Sequence, residues 1–243
     1  RRCFEEHANV QWAQCVRDRN EISVLMIDLD EFKKYNDAYG HLNNATYYEL
    51  FDTDYVTMRA GVPTVWLLLL NYMKEQNLRF STHKRVVIGG SACPPAMLRT
   101  FQDEYGVQVL HAWGMTEMSP LGTAGTLKAE QLKLGKEERY QLQNKQGRAI
   151  FGVDYRIVDE NGSELPWDGK AFGDLQVRGP WVIKSYFKGE GGNPLKEDED
   201  GTAWFPTGDV CTIDPEGYIQ ITDRSKDVIK SGGEWISSIE LEN

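Results

Sequence analysis

Residues 84–117 contain two short apolar runs, and each run ends in a turn that contains glycine. The first run spans 84–88 and is followed by Gly89-Gly90-Ser91-Ala92, after which two prolines open a predicted helix. The second run spans 107–110 and leads into His111-Ala112-Trp113-Gly114-Met115-Thr116-Glu117. A strand–turn–helix–strand order predicts a parallel α/β layer, in which ligands bind at the carboxyl ends of the strands. We therefore expect both turns to open at the same edge of one sheet.

The second turn places a hydroxyl, Thr116, beside a carboxylate, Glu117. The hydroxyl can donate a hydrogen bond to a phosphate oxygen, and the carboxylate is a hard oxygen ligand suited to Mg²⁺. The same residue types also cap turns and helices without binding a ligand, and this alternative stays open on the dipeptide alone.

The chain is acidic, with a net charge of −10 over 243 residues and a pI near 5.0. This charge argues against a nucleic-acid backbone or an anionic membrane as the partner, whereas a nucleotide can still bind through local basic groups, backbone amides and a metal ion. The four cysteines are scattered and form no C-x-x-C pair, so we expect free thiols in a reducing, cytoplasmic compartment. The longest apolar run, 62–70, is too short to span a bilayer, which takes about 20 residues.

The segments around the two turns alternate between helical and extended patterns. Residues 57–73 are predicted to form a helix that is broken or kinked near Pro63. Residues 125–147 form a charged helical excursion, and the pattern then becomes β, with a hairpin turn at 159–162. The predicted strands of this second half are 153–158, 174–178, 181–187 and 218–222. We expect this half to form a small twisted sheet or β-barrel-like subdomain packed on the α/β layer.

Four motifs follow one another in the order VVIGGSACPPAM, HAWGMTEMSPLGT, FPTGDV and DPEGYIQITDRSKDVIKSGGEWISSIELEN. Together they resemble the later motifs of AMP-forming acyl-CoA synthetases, in the adenylate-forming superfamily that includes luciferases. The resemblance covers residues 56–243 and suggests a medium- or long-chain fatty acyl ligase. It implies an α/β fold, namely a partial adenylate-forming domain with a parallel α/β layer and a small β subdomain.

The resemblance implies a site for ATP or AMP. Thr116 would bind the α-phosphate, Glu117 would bind Mg²⁺, and Trp113 would stack on adenine. The turn at 89–92 would form a wall of the adenine and acyl pockets, where glycine lets the backbone approach closely. The implied nucleotide-binding residues are Gly89, Gly90, Ser91, Ala92, Ala112, Trp113, Gly114, Met115, Thr116, Asp209, Ile221 and Arg224.

Asp209 follows Thr207-Gly208 and is predicted to lie at a turn. One carboxylate can accept hydrogen bonds from both ribose hydroxyls, and by resemblance Arg224 is the second ribose contact. Without the other motifs, the pattern would favour an ordinary turn aspartate at this position. We expect the carboxylates of Glu117 and Asp209 to face one cleft.

Residues 223–243 resemble the hinge of the same superfamily and the face that meets coenzyme A. Lys226 would be the pivot, and rotation of a C-terminal domain about it would replace adenylation with thioester formation. Lys230, counted with Thr116 and Glu117 among the catalytic residues, would line the face brought to the coenzyme A thiol. The other residues implied on this face are Gly232, Gly233, Glu234 and Trp235. The alternative is a Gly-Gly hairpin with exposed lysines.

The first part of the chain carries two other resemblances. ISVLMIDLDEFKKYNDAYGH resembles the start of a GGDEF diguanylate cyclase domain over residues 17–41, which implies metal binding by Asp28 and guanine binding by Asn36 and Asp37. The Gly-Gly-Asp/Glu-Glu-Phe loop that this chemistry needs is absent from the sequence.

Residues 37–52, DAYGHLNNATYYELFD, resemble the signature of hot-dog acyl-CoA thioesterases. The matching residues are Asp37, His41, Asn43, Asn44 and Tyr47. No run of strands follows that would build the curved hot-dog sheet, so we interpret residues 1–55 as a mosaic or chimeric segment. The alternative is a helix–turn–helix spacer without activity.

These observations predict four regions: 1–55, the mosaic α/β fragment; 56–150, the nucleotide-binding part; 151–222, the β subdomain; and 223–243, the hinge with the start of a C-terminal domain. The chain begins with Arg1 and lacks the phosphate loop of full-length synthetases, so we expect a fragment with weak or no turnover. Its expected ligands are ATP or AMP, Mg²⁺, a fatty acid and coenzyme A. The alternative is a cyclase-like or thioesterase-like chimera without catalytic activity.

Overall fold

The computed structural model of the chain describes residues 45, 48, 49, 55–225, 229–231 and 234–236. Within these residues the chain forms a mixed α/β structure, which confirms the predicted fold class. The predictions that lie outside the described residues are those for Asp28, Asn36, Asp37, His41, Asn43, Asn44, Tyr47, Lys226, Gly232 and Gly233.

The first sheet has five strands in the order β1-β2-β3-β4-β5. They are β1 (Met58–Gly61), β2 (Arg85–Ile88), β3 (Gln108–Gly114), β4 (Leu121–Ala124) and β5 (Arg148–Ala149). β1, β2 and β3 run parallel, whereas β4 and β5 are antiparallel additions. β3 pairs in both senses, with β2 over 108–111 and with β4 over 112–114. Because β2 and β3 are parallel neighbours, the turns that follow them open at one edge, as predicted.

The helices around this sheet are α1 (Pro63–Glu75), α2 (Pro95–Arg99), which widens into a π-helical turn at Thr100–Glu104, and α3 (Lys136–Asn144). α1 buries Trp66, Leu69, Leu70 and Met73, which recur at i, i+3, i+4 and i+7 and so form one face. Trp66 meets Phe101 edge to face, with 5.5 Å between ring centroids. This aromatic contact lies in a single apolar core between the helices and strands β2 and β3.

The prediction of one kinked helix over 57–73 is wrong at its start, because Met58–Gly61 is a strand paired with β2. The helix begins at Pro63, and Val62 before it is extended, with φ −84° and ψ 154°. A residue that precedes proline is sterically excluded from the α region, so the helical apolar pattern cannot continue upstream of Pro63. Proline instead occupies the first turn of α1, where its missing N–H is tolerated.

The second sheet has the strand order β10-β9-β7-β6, with β8 paired to β9. Its strands are β6 (Asp154–Val158), β7 (Gly173–Arg178), β8 (Lys196–Glu197), β9 (Ala203–Ile213) and β10 (Ile219–Arg224). The sheet is open in the described chain, so the predicted barrel-like closure is not formed. The outer edge of β10 instead exchanges hydrogen bonds with the chain before β5: Gln146 N–H donates to the Ile219 carbonyl (3.1 Å) and Ile219 N–H to the Gly147 carbonyl (2.9 Å).

Two further predictions about this half need correction. Residues 181–187 form an irregular segment rather than a strand. The longest strand, β9, was not predicted, and Asp209 lies inside it rather than at a turn. The reason is local: Pro206 and Gly208 resemble turn residues, but Gly208 takes φ +75° within the strand, where only a residue without a side chain fits easily. β9 therefore continues through a sequence that predicts a break.

The described chain ends in a two-stranded hairpin of β11 (Ile229–Ser231) and β12 (Glu234–Ile236). Lys230 lies opposite Trp235 in this pair, and Ser231 lies opposite Glu234. These two strands flank Gly232 and Gly233, which lie outside the described residues. None of the helices that the structure describes is both long and apolar enough to cross a membrane.

Candidate functional site

The turn after β2 lies directly against β3. A side chain at Gly89 would place its Cβ 3.0 Å from the Ala112 carbonyl oxygen. Gly90 has φ +80°, and a Cβ there would lie 2.9 Å from Cγ1 of Val62. Gly90, Ser91 and Ala92 are exposed, whereas Ala112 is buried. Glycine at 89 and 90 therefore allows this turn to approach β3 and the start of α1 while its outer face stays open.

His111 connects this turn to the end of α3. Its buried ring accepts a hydrogen bond at Nε2 from Cys93 N–H (3.2 Å), and Nδ1 lies 3.0 Å from the Asn144 carbonyl oxygen. A carbonyl can only accept, so Nδ1 carries the proton and the imidazole is neutral. Burial lowers the pKa of His111, in agreement with this tautomer. The sequence pattern predicts no role for His111, although it lies within the same motif as Thr116.

The chain reverses direction immediately after β3. A Cβ at Gly114 would lie 1.9 Å from the Pro120 carbonyl oxygen, so the returning backbone passes over this glycine. Between them is a 3₁₀ turn, Thr116–Met118, in which Thr116 is exposed and Glu117 is half-buried. Residues 111–114 of the motif 111–117 belong to β3, so the turn itself begins only after Gly114.

Asp209 joins three strands through its carboxylate. The indole Nε1–H of Trp113 donates to Oδ2 at 2.9 Å, and Nε of Arg224 lies 2.9 Å from Oδ1. The backbone N–H of Asp209 is bound by the Thr207 hydroxyl at 3.1 Å. Residues from β3, β9 and β10 thus meet at one side chain. Two of the residues predicted to contact adenine and ribose, Trp113 and Asp209, are in direct contact.

The electrostatics of Asp209 combine opposing effects. Burial raises the pKa of its carboxyl, while the Trp113 hydrogen bond and the positive charge of Arg224 act to lower it. Within the part of the chain that the structure describes, each oxygen has one protein partner; an ionised carboxylate has about four acceptor sites, so further donors can be accommodated. Arg224 is the exposed member, with 56% of its side chain accessible against 5% for Asp209.

Two hydrogen bonds join Glu117 to segment 181–186. The Tyr186 hydroxyl donates to Glu117 Oε1 at 3.1 Å, and Ile183 N–H donates to the Glu117 carbonyl at 2.8 Å. Because its proton is shared with this carboxylate, the pKa of Tyr186 is raised. No prediction from sequence includes Tyr186, since the composition of 181–187 favours a strand and nothing in the local pattern links Tyr186 to residue 117.

Trp113, which binds Asp209, lies on the same stretch of chain as Glu117. Glu117 lies four residues beyond Trp113, which limits the separation of their Cα atoms to about 14 Å. The benzo ring of Trp113 packs on Gly122, where a Cβ would come within 2.7 Å of Cζ3. Whether the Glu117 and Asp209 carboxylates face one cleft stays a prediction, but they lie on connected segments.

The remaining predicted residues fall into two groups. Met115 and Ile221 are partly buried and pack against the core of the second sheet, and Ile221 N–H donates to Gln146 Oε1 at 2.9 Å. Lys230, Glu234 and Trp235 belong to the separate hairpin of β11 and β12. Among the residues that the structure describes, no cluster of three or more His, Cys, Asp or Glu side chains could hold a metal ion.

The sequence profile of the AMP-binding enzyme family matches residues 37–187, which is more than half of the chain. The chain belongs to the AMP-binding enzyme family. A second profile, for the diguanylate cyclase GGDEF domain, matches residues 1–44, in agreement with the resemblance of residues 17–41 to the start of that domain. The thioesterase resemblance of residues 37–52 stays a prediction.

Curated relatives of this AMP-binding family member are acyl-CoA ligases. The 3-methylmercaptopropionyl-CoA ligase of Ruegeria lacuscaerulensis is 54% identical over 197 residues, which are 80% of this chain and 35% of that protein. The medium-chain-fatty-acid–CoA ligase of Ectopseudomonas oleovorans is 48% identical across 83% of this chain and 36% of that protein. The chain spans about a third of the length of these relatives.

Solved structures in the same family share the fold. A long-chain-fatty-acid-CoA ligase from Archaeoglobus fulgidus matches with a TM-score of 0.64 at 27% identity, over 76% of this chain and 37% of that one. The o-succinylbenzoate CoA synthetase of Bacillus subtilis, in complex with an acyl-adenylate intermediate, matches with a TM-score of 0.62 at 29% identity, over 82% and 37% of the two chains. The predicted adenylate-forming α/β architecture is confirmed.

Proposed function

We propose that this chain is the nucleotide-binding part of an ATP-dependent, AMP-forming acyl-CoA synthetase. The reaction would activate a fatty acid carboxylate as an acyl-adenylate and then transfer the acyl group to coenzyme A. The observation that carries the proposal is the contact of Trp113 and Arg224 with the carboxylate of Asp209. This contact unites motifs that are 96 and 15 residues apart in sequence and that the resemblance assigns to one nucleotide. The names of the curated relatives support the substrate class.

In the proposed site, Asp209 binds the ribose. Its two oxygens keep acceptor capacity beyond Trp113 and Arg224, and the two adjacent ribose hydroxyls are donors suited to one carboxylate. Arg224, the exposed partner, can contact the sugar while it remains bound to Asp209. The adenine would pack on the ring face of Trp113, because its N–H edge is engaged by Asp209. The turn at 89–92 would close the adenine and acyl pockets.

Thr116 and Glu117 would act at the phosphate. Attack of a carboxylate on the α-phosphate develops charge on the phosphate oxygens, so positioning and electrostatic stabilisation supply most of the rate. The exposed Thr116 hydroxyl would donate to an α-phosphate oxygen. Mg²⁺ would neutralise phosphate charge, with Glu117 as its protein ligand. A single carboxylate fits, since Mg²⁺ keeps several waters and commonly combines one or two carboxylates with substrate phosphates.

The end of the chain would serve the second half-reaction. Lys226 is proposed as the pivot residue, and Lys230, Gly232, Gly233, Glu234 and Trp235 as the face that meets coenzyme A. The pairing of β11 with β12 supports this role, because it brings the backbone positions of Lys230 and Trp235 opposite each other.

Calorimetric titration of the chain with AMP and with a non-hydrolysable acyl-sulfamoyl adenosine tests the proposal. We expect binding of both, with the acyl analogue bound more tightly because it fills both halves of the site. Absence of binding would contradict the proposed function. Pyrophosphate release that depends on fatty acid would extend it to catalysis, whereas cyclic dinucleotide formation from GTP, or thioester hydrolysis without ATP, would favour one of the two alternatives.

A further inference from the structure

Segment 181–186 is fastened to the turn that carries Glu117 by three hydrogen bonds. Ile183 N–H donates to the Glu117 carbonyl at 2.8 Å, and the Ser119 hydroxyl donates to the Trp181 carbonyl at 3.1 Å. The third bond, from the Tyr186 hydroxyl to Glu117 Oε1, is 3.1 Å long and engages the carboxylate itself. Two bonds thus fix the backbones against each other, and the third fixes a functional group.

The segment is itself anchored, so Tyr186 is more than a loosely placed surface residue. Val182 is 7% exposed within the core of the second sheet, and Trp181 and Ile183 pack against the same core. Trp181 also covers Gly152, where a Cβ would come within 2.6 Å of the indole. Beyond the segment, Gly189 N–H donates to the Tyr186 carbonyl at 3.0 Å and closes a short turn. The phenol is therefore presented from a backbone that is held on both sides.

Tyr186 restricts how the Glu117 carboxylate can turn. Among the described residues, it is the side chain that hydrogen-bonds to this carboxylate, and it engages Oε1. A carboxylate held through one oxygen presents the other in a defined direction, whereas a half-exposed glutamate without a partner samples several rotamers. Carboxylates that bind metals are commonly oriented by such outer hydrogen bonds, and loss of the outer partner typically lowers metal affinity about 10–100-fold.

We propose that Tyr186 is a positioning residue that holds Glu117 Oε1 and thereby directs Oε2 towards the metal–phosphate group of the bound nucleotide. This inference rests on the proposed function of Glu117 as the Mg²⁺ ligand. Tyr186 acts only through Glu117, since it is placed against that carboxylate rather than against a substrate.

The test is the Mg²⁺ dependence of ATP affinity, measured by calorimetry on the full chain with added EDTA and over a series of Mg²⁺ concentrations. Tyr186→Phe removes the hydroxyl and keeps the ring. We expect its affinity for AMP in EDTA to stay within about twofold of wild type, and the Mg²⁺ concentration for half-maximal ATP binding to rise about tenfold. Phe187→Leu is the matched control, because Phe187 is the next residue along the chain and is 78% exposed, whereas the hydrogen bond to Glu117 comes from Tyr186.

A double variant separates positioning from a general structural effect. In Glu117→Gln the metal dependence is expected to be largely lost, and adding Tyr186→Phe should change it no further. Equal Mg²⁺ dependence in Tyr186→Phe and wild type, or an equal shift in Phe187→Leu, would overturn the inference. Loss of AMP binding in EDTA by Tyr186→Phe would also overturn it, since that points to a damaged site. If wild type itself binds no AMP, the proposed function fails, and this inference fails with it.

Discussion

Arg224 lies directly opposite Asp209 in the β10–β9 pair, and its Nε is 2.9 Å from Oδ1 of that buried carboxylate. The second sheet contains another cross-strand Arg–Asp pair, at its β6 end. Arg178 of β7 lies opposite Asp154 of β6, with 3.0 Å between Nε and Oδ2. The geometry is alike, but the Asp154 side chain is 65% exposed and that of Asp209 is 5% exposed. The Asp154 pair therefore provides an internal control for the Asp209 pair.

Asp209→Asn is expected to weaken AMP binding. The amide keeps the size of the side chain but replaces an acceptor oxygen by a donor, which cannot accept from a ribose hydroxyl. Charged hydrogen bonds contribute about 1.5–3 kcal/mol, so we expect a loss in affinity of about tenfold or more. Calorimetry of both variants checks this, and Asp154→Asn should bind AMP as wild type does. Equal losses in the two variants would remove Asp209 from the site.

Trp113→Phe is expected to destabilise the fold by about 1–3 kcal/mol, because it deprives a buried carboxylate of its indole donor. Trp204→Phe is the control: Trp204 Nε1 donates to Asp198 Oδ2 at 3.1 Å, but the Asp198 side chain is 25% exposed and can be rehydrated. Urea unfolding of both variants measures the difference. If Trp204→Phe costs as much as Trp113→Phe, ring packing rather than the Asp209 bond determines the loss.

Gly90→Ala is expected to cost stability and ligand affinity together. The left-handed backbone alone costs about 1–2 kcal/mol for a residue with a side chain, and the new Cβ would also press on Val62. Gly106→Ala separates the two effects, because Gly106 has φ +67° but nothing within 4 Å of its would-be Cβ. We expect similar backbone strain in both variants, and weaker AMP binding in Gly90→Ala only. Weakened binding in Gly106→Ala would indicate a global rather than a local effect.

His83 is expected to make the fold sensitive to acid. Burial lowers its pKa from 6.5 to about 4, helped by the nearby Arg59 charge and opposed by its bond to the Val56 carbonyl. Because the folded-state pKa lies below the unfolded one, the unfolded chain binds more protons between these values. The stabilisation is therefore complete above pH 6.5 and is lost as pH falls towards 4.

Over the full range, this effect of His83 on the free energy of unfolding amounts to about 3 kcal/mol. The pKa of His111 is shifted in the same direction, so wild type carries both contributions. Urea unfolding at several pH values between 7.5 and 4.5 should give a shallower pH dependence for His83→Gln than for wild type. Parallel curves would show that His83 is not protonated differently in the two states.

Much of the first sheet follows from sequence because its signals are local. The fold contains the structures that these signals predict. They are the apolar runs at 84–88 and 107–110, the glycine turn between them, and the two prolines at the start of α2. The motifs of the resemblance likewise name Trp113, Asp209 and Arg224, which the structure brings into contact. These predictions succeed because the residue types alone carry the information.

The failures at β9 and at segment 181–186 have a further cause, which is long-range pairing. β9 contains Pro206 and Gly208 and is a strand because β7 and β10 bind it on both sides. Segment 181–186 has a strand-like composition, but its hydrogen bonds go to the turn at Glu117. His111 and Tyr186 could not be assigned for the same reason, since their partners are 33 and 69 residues away. The topology of the fold determines these partners, and a local sequence pattern carries no information about it.

The change of pairing within β3 links correct folding to the ability to bind. His111 is the last residue paired with the parallel neighbour, and Ala112 is the first paired with the antiparallel one. Successive side chains on a strand point to opposite faces, so slippage of β3 by one position would turn Trp113 away from Asp209 and His111 away from Cys93. A misaligned chain would therefore be unable to assemble the ribose contact, and nucleotide binding would report directly on whether the strand had found its proper alignment.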